Sequence, residues 1–475
     1  MSSGSYIDAA RTKQMKDLLG VRHIQAVLLA GALFVNHIQQ SNVAITAVAI
    51  TSHNPNITYW QDGKVRARGS FFYSLIISCL VGGYLTTKFD IKIMLLCSTV
   101  VGTITTYLTP TLVKYYNWQI LIVIRILHGS SKGFIRPLVY SQLVRWLPPD
   151  ELMLMGPVVL SSLFLGYGLI EMMGGYLSSG QGGWPSIFYF SGNIGFIWCL
   201  AYLGLGSQSP NACFYISVYE KRYIEESLPS AIRLPYRKYI PLKKILTCVP
   251  LYALIISQSA NNYALQTFVK IVPLFYENSL QLDVQKIGLA MGLPLFSISL
   301  LVYIKYYLLK FMIKRRIVNH SEVRHIFNGI GQFGAFYFFM YCAFTENYYV
   351  CFTFHCIGMI LSSCQLNGFY MNYFDLSPNF IGVIVGIGVS CAHCFSIAGT
   401  YISFSLYSHY YLDPSGPQSI LQAKEAIYFF LAMFYFLGGL LWELLGSTKI
   451  QPFNDIKETE EPDDDVFNES DIIKT

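Results

Sequence analysis

"SQSPNACFYISVYEKRYIEESLPSAIRLPYRKYIPLKK", residues 207–244, decides the fold. It carries seven Lys and Arg and four Pro, and it separates six long apolar runs from six more. The runs fall at 24–48, 69–87, 91–112, 118–140, 153–178 and 185–206, then at 248–275, 287–309, 326–345, 348–370, 380–405 and 426–446. Runs of about 18 to 25 apolar residues can cross roughly 30 Å of hydrocarbon as helices. The chain therefore divides into a head (1–23), a first six-helix bundle (24–206), a basic linker (207–247), a second six-helix bundle (248–446) and an acidic tail (447–475).

Composition agrees with that division. Of 475 residues, 53% are apolar, 16% aromatic and only 13% charged, about half the charged fraction of a soluble globular protein. An ordinary cytosolic enzyme is excluded. The head, "MSSGSYIDAARTKQMKDLLGVRH", lacks the short apolar core and small-residue cleavage site of a signal peptide, so the first span is expected to stay as an anchor.

With the linker and both termini in the cytosol, the inner segments hold 23 of the 33 Lys and Arg. The opposite loops hold six, namely Lys64, Arg66, Arg68, Lys114, Lys286 and Lys424, which satisfies the positive-inside rule. Asn56 in "NIT" then lies in the first outer loop as either a glycosylation acceptor or a chance sequon. "NHS" at 319 and "NES" at 468 face the cytosol and are expected to stay unmodified. The tail, rich in Asp and Glu and poor in aromatics, reads as disordered.

No Walker-type phosphate loop, catalytic triad or metalloprotease spacing is present, so neither an enzyme nor a nucleotide-driven pump is expected. The eleven cysteines lie mostly in apolar spans, where cysteine packs as a small hydrophobe. "CAHC" at 391–394 offers two sulfurs and one imidazole without a partner pair, so packing is preferred over a metal site. No cofactor, metal or nucleic acid is expected. Six helices, a linker and six helices is the plan of a major facilitator: an all-α membrane protein whose two pseudo-symmetric bundles flank a cavity near the bilayer midplane and work as a monomeric unit.

Ionisable residues inside such helices are costly and line a watery path or pair with one another. "RILHGSSKGFIRP", 125–137, places Arg125, Lys132 and Arg136 within roughly 40° of each other on one helix, with His128 a turn from Arg125. A cavity that attracts small organic or inorganic anions explains a shared basic face, because guanidinium groups grip carboxylate or phosphate through paired hydrogen bonds. Bland alternatives stand beside it: Arg136 snorkelling to the cytosol, and Lys132 bridged to Glu171. Glu171 itself is either that charge partner or a proton carrier. His37, His355, His393 and Lys270 complete the intramembrane set. Polar candidates for orienting the anion are Asn36, Gln39, Gln40, Tyr73, Asn261, Asn262, Tyr263 and Asn367. Each could instead join helices, at roughly 0.6 kcal/mol apiece.

The order of "GSFFYSLIISCLVGGYL" (69–85), "RILHGSSKGFIRP" (125–137), "RWLPPDE" (145–151), "GGWPSIFYFSGNIGFIW" (182–198), "EKRYIEESL" (220–228), "IPLKKILTCVPLYALI" (240–255), "VRHIFNGIG" (323–331), "LNGFYMNYFDLSPNFIGVIVGIG" (366–388) and "GSTKIQPF" (446–453) resembles solute carrier family 17, the anion and cation symporter branch of the major facilitators. The resemblance runs over nearly the whole chain except head and tail. It implies movement of anions coupled to protons, sodium or membrane potential, at the cell surface or in vesicle and lysosome membranes. It implies that Arg125 faces the anion, that Gly129 and Gly133 pack helices closely, and that Pro137 bends the helix.

The chain departs from the family pattern at three places. Lys132 stands where many relatives carry the acid used in proton coupling. Ile38 occupies the place of an arginine in the first helix, and Asn261 and Asn262 precede Tyr263 where some relatives have an arginine. Glu171 is then a candidate substitute for the missing acid, beside its reading as a charge partner. Two cations in place of a cation and an acid favour multiply charged anions such as phosphate or a dicarboxylate. Anion exchange, or anion sensing without transport, is the other reading. The turn pattern is altered too: "GGYLTTKFDIK" keeps Lys88 and Lys92, and "LVYIKYYLLKFMIKRR" lacks the usual glycine-rich turn.

Overall fold

The computed structural model describes residues 19–53, 59–115, 118–228, 240–273, 283–412 and 417–455. Every regular element among them is helical. The first half comprises α1 (Val21–His53), α2 (Tyr59–Leu85), α3 (Ile91–Tyr115), α4 (Trp118–Trp146), α5 (Pro149–Ser179) and α6 (Pro185–Leu205). The linker contributes α7 (Val218–Ser227) and the single turn α8 (Leu242–Leu246). The second half comprises α9 (Val249–Lys270), α10 (Val284–Lys314), α11 (His320–Phe344), α12 (Tyr348–Ser362), α13 (Phe369–Leu376), α14 (Ile381–Leu412) and α15 (Pro417–Leu445). Asn56 lies outside the described residues, as do most of the head and the acidic tail.

By length and composition, eight segments among the described residues are apolar enough to cross a bilayer, α12 and α13 counting as one. The other four expected spans are helices as well. In α2 only Gly69–Leu85 is strongly apolar, and α4, α9 and α11 carry the charged and amide side chains on which the functional reading rests. The tenth span is broken: a 3-10 turn at Ser363–Leu366 separates α12 from α13. Gly368 allows this break to press on α11, since a Cβ there would lie 2.7 Å from the Asn328 Cβ.

Glycines set how closely helices approach, because in lipid the association of helices depends on packing rather than on hydrophobic burial. A Cβ on Gly133 would lie 2.6 Å from the Leu75 carbonyl oxygen, so α4 rides directly on the backbone of α2, and Gly129 meets Phe71 in the same way. The two halves join along two similar seams. Between α2 and α14, a Cβ on Gly83 would meet the Gly382 oxygen at 2.6 Å. Between α5 and α10, a Cβ on Gly292 would meet the Gly168 oxygen at 2.6 Å and one on Gly288 the Glu171 oxygen at 2.5 Å. Ser299 Oγ donates across the second seam to the Ser161 carbonyl at 2.9 Å, and Ser390 Oγ across the first to Ile76 at 2.9 Å.

The described residues at the start of the linker, 207–228, dock on the first bundle. Ser217 caps α7 by accepting from the Glu220 amide at 3.1 Å. Glu220 then receives Arg22 Nη1 at 3.1 Å and the Val21 amide at 3.0 Å, while Arg22 Nε donates to Glu151 at 2.7 Å. The first turns of α1 and α5 are thereby tied to α7. Burial, with the Glu151 carboxylate alongside, pushes the Tyr223 hydroxyl up, so it remains a donor to Glu151 at 3.0 Å. In the second half, Asp375 holds Arg324 at 2.7 Å and His320 at 2.8 Å at the same end of the molecule.

Candidate functional site

A small cavity, with room for about one water molecule, lies between the halves. Its walls include Leu33 of α1, Arg136 and Tyr140 of α4, Gln258 of α9, and Tyr370 and Tyr373 of α13. Arg136 is its charged residue. One guanidinium nitrogen, Nη2, donates to His37 Nε2 at 3.1 Å. His37 Nδ1 lies 2.7 Å from the Leu33 carbonyl and donates to it, which leaves Nε2 as the acceptor of a neutral imidazole. Arg136 Nη1 is buried with no hydrogen-bond partner. The snorkelling alternative is therefore corrected: Arg136 is held inward by His37, 9% exposed, at the cavity between the halves.

Two stacked contacts extend the site. His37 packs on Tyr167 with ring centroids 5.0 Å apart. One helical turn further on both helices, Ser41 Oγ donates to Glu171 at 2.5 Å. Residues 37 and 41 on α1 thus face 167 and 171 on α5, each pair one turn apart. Among the described residues no Lys, Arg or His lies within 4 Å of the Glu171 carboxyl, so the Lys132–Glu171 bridge does not form.

Lys132 goes elsewhere. Its ammonium donates to Gln39 Oε1 at 2.5 Å, and Gln39 Nε2 reaches Thr103 at 3.1 Å and the Ser191 carbonyl at 3.3 Å. Lys132 is thus buried inside the first bundle, among α1, α3 and α6. The expectation that three cations border one passage is corrected for this residue. A spread of about 40° in projection hides a rise of 1.5 Å per residue, so Arg125 and Arg136 sit roughly 16 Å apart along α4 and meet different neighbours.

Arg125 and Lys270 share a different device. The Arg125 guanidinium lies 4.2 Å from the Phe71 ring centroid, and Lys270 Nζ lies 4.1 Å from that of Phe72. The two rings meet edge to face at 5.2 Å. His128 flanks Phe71 at 5.7 Å and bonds Thr105 at 3.0 Å, while His393 flanks Phe72 at 6.2 Å. The first two cations come one from each half.

The remaining candidates divide. Asn261 Nδ2 donates to Gln365 at 2.6 Å, and Tyr263 Oη bonds Ser403 at 2.6 Å, which is helix-joining geometry. Asn262 Nδ2, Asn36 Oδ1 and Asn367 Oδ1 are buried with no hydrogen-bond partner. Gln40 is half-buried. Tyr73 is 64% exposed on a stripe with Ile77, Leu80 and Tyr84, one face of α2 turned outward, and it is removed from the cavity set. Cys394 is exposed while His393 is buried, so "CAHC" does not converge. Residue-by-residue reading missed Ser41, Tyr140, Gln258, Tyr370 and Tyr373. Ser41 stands one turn from His37, a spacing that was visible.

Two helical bundles joined at glycine seams around a cavity with a buried arginine define a membrane transporter fold. The chain belongs to the major facilitator superfamily, whose profile matches residues 29–400. It is 27% identical over 397 residues to a Drosophila ananassae protein named "Putative inorganic phosphate cotransporter", covering 82% of this chain and 80% of that one. It is 27% identical to Homo sapiens sialin over 81% of this chain and 75% of that one. Xenopus tropicalis vesicular glutamate transporter 1 is 23% identical over 92% and 77%. These are proteins of the group that the sequence blocks resemble. The solved structure of the proton:xylose symporter XylE bound to 6-bromo-6-deoxy-D-glucose superposes with a TM-score of 0.67 at 12% identity, over 91% of this chain and 98% of that one, and supports the fold alone.

Proposed function

We propose that this protein carries small organic or inorganic anions across a membrane, with Arg136 as the central anion contact. The single observation that carries this reading is the buried, unpartnered Arg136 Nη1 at the cavity between the halves. Burying a guanidinium donor without a partner is expensive, and a carboxylate or phosphate oxygen visiting the cavity removes that cost. Phosphate and carboxylates are the substrate classes, in keeping with the names of the relatives. Arg125 and Lys270 at the Phe71–Phe72 pair draw the anion in, because a basic passage with low-dielectric walls concentrates negative solutes.

Glu171 is the proton carrier in this reading. A carboxyl buried against only a serine hydroxyl is stable there in its neutral form and must meet water to ionise. Rocking of α5 against α10 at the Gly168–Gly292 seam supplies that access. The linker and both termini lie on the cytosolic side, and the working unit is a monomer in a cell-surface or vesicle membrane. A second reading, anion exchange without a coupling ion, is favoured by Lys132, which occupies the position of the relatives' acid and is engaged by Gln39.

The test is uptake into liposomes of labelled phosphate, glutamate, sialic acid and urate under imposed pH and sodium gradients. Saturable, gradient-driven uptake of one of these supports the proposal. Saturable uptake only against a trans-anion supports exchange, and binding without uptake contradicts both.

A further inference from the structure

We propose that Cys342 and Cys351 form a disulfide that staples the ends of α11 and α12 on the side of the membrane opposite the linker. This rests on the orientation proposed above, which puts that hairpin in an oxidising compartment. Cys342 is in the last turn of α11 and Cys351 in the first turn of α12, joined by a short turn at 345–347. Each thiol reaches the other residue's backbone. Cys342 Sγ lies 3.2 Å from the Cys351 carbonyl oxygen and Cys351 Sγ 3.8 Å from the Cys342 oxygen. Such mutual approach brings the two cysteines together across the hairpin, as a bridge requires.

The surroundings hold both residues in place. Asn347 caps α12 by accepting from the Tyr349 amide at 2.9 Å and the Val350 amide at 3.3 Å, and the Cys351 amide bonds the Asn347 carbonyl at 2.9 Å. Lys424, 2% exposed on α15, donates to the Cys342 carbonyl at 3.0 Å and the Ala343 carbonyl at 3.4 Å, and also to Thr345. A buried ammonium capping the free carbonyls of α11 fixes its last turn. A preorganised pair loses little freedom on closing. Cys342 and Cys351 are 0% and 4% exposed in the folded chain, so the bridge forms during folding, before the hairpin is covered.

The chemistry is thiol–disulfide exchange with a protein disulfide of the secretory pathway. One cysteine, as thiolate, attacks the oxidant's disulfide and forms a mixed disulfide, releasing one oxidant thiolate. The second cysteine, as thiolate, attacks the mixed bond, closes the Cys342–Cys351 bridge and releases the other. Two protein thiols are oxidised, one oxidant disulfide is reduced to two thiols, and the protons pass to water and the released thiolates.

The test uses the full chain made in eukaryotic cells, with thiols blocked by a maleimide during denaturing lysis, then digested without reductant. A peptide pair joined through 342 and 351 is the expected result in most of the protein. Both cysteines recovered as maleimide adducts would overturn it. An epitope inserted after Glu346 separates this failure from that of the orientation. Free thiols with a tag reached by antibody on intact cells, or only once vesicle membranes are opened as well, defeat the bridge alone; free thiols with a tag reached as soon as the plasma membrane alone is permeabilised defeat the orientation with it. As a second readout, reductant should lower the midpoint of thermal unfolding of the parent and leave Cys351→Ala unchanged; equal shifts in both would also overturn the proposal.

Discussion

Arg136 Nη2 and His37 Nε2 are joined by a 3.1 Å hydrogen bond that turns the arginine into the cavity between the two halves. The geometry requires the neutral, Nδ1-protonated imidazole, because His37 Nδ1 donates to Leu33. One guanidinium nitrogen is thereby anchored and the other left for a ligand. His37→Phe keeps the tilted ring contact with Tyr167 and loses the anchor. Anion affinity should fall by about three- to tenfold, in line with a lost hydrogen bond to a charged group of about 1 kcal/mol, with expression unchanged. Titration of substrate-dependent thermal stabilisation measures it.

Glu171→Gln keeps the bond from Ser41 and removes the proton site. A pH gradient should then no longer drive accumulation, while exchange of internal for external anion continues. Liposome uptake with and without a trans-anion separates the two, and pH-driven accumulation by the variant would exclude Glu171 as the proton carrier. The groups facing this carboxyl are Tyr167 on its own helix and Ser41 on α1, with His37 and Arg136 behind them.

Gly292→Ala places a methyl 2.6 Å from the Gly168 carbonyl oxygen. Overpacking of that kind costs about 1–3 kcal/mol, charged to the state in which α5 and α10 are closed. Turnover should fall more than the melting temperature of the purified protein; equal loss of both would make the seam merely structural.

Arg316 occupies the left-handed region, with φ of 55°, at the end of α10. The Ile317 amide bonds the Met312 carbonyl at 3.0 Å and the Arg316 amide bonds Ile313 at 2.9 Å, the paired pattern in which glycine is preferred. This is the turn that lacks its usual glycine. Arg316→Gly should stabilise the protein by about 0.5–1 kcal/mol, read as a higher melting temperature in detergent.

Lys132→Met should change anion affinity less than threefold, since the ammonium points at Gln39 inside the first bundle and away from the cavity. Binding titration on the stable variant checks this, and a loss of an order of magnitude would return Lys132 to the site.

The fold was legible because apolar run length follows directly from the thickness of a bilayer. The glycine contacts at Gly129 and Gly133 were legible as well, since close approach admits no other residue. Side-chain partners were less so. Helical projection grouped Arg125, Lys132 and Arg136, but it contains neither the rise along the axis nor the identity of the facing helix. Gln39 on α1 decided where Lys132 went, Phe71 on α2 where Arg125 went, and His37 where Arg136 went. Tyr73 misled for a related reason: its polarity suggested a cavity, and its position on the outward stripe of α2 outweighed that. The broken tenth span and the linker helix α7 left only weak local signals, Gly368 and the Ser217–Glu220 cap.

The most direct measurement compares binding and uptake by the parent, Arg136→Ala and Arg136→Lys, for the best of the phosphate, glutamate, sialic acid and urate panel. With Arg136 as the buried contact, Arg136→Ala should lose at least about 30-fold in affinity, the equivalent of 2 kcal/mol for an uncompensated charge pair, and Arg136→Lys should recover part of it. Parent-like affinity and uptake in a folded Arg136→Ala protein would contradict the placement of the anion in this cavity.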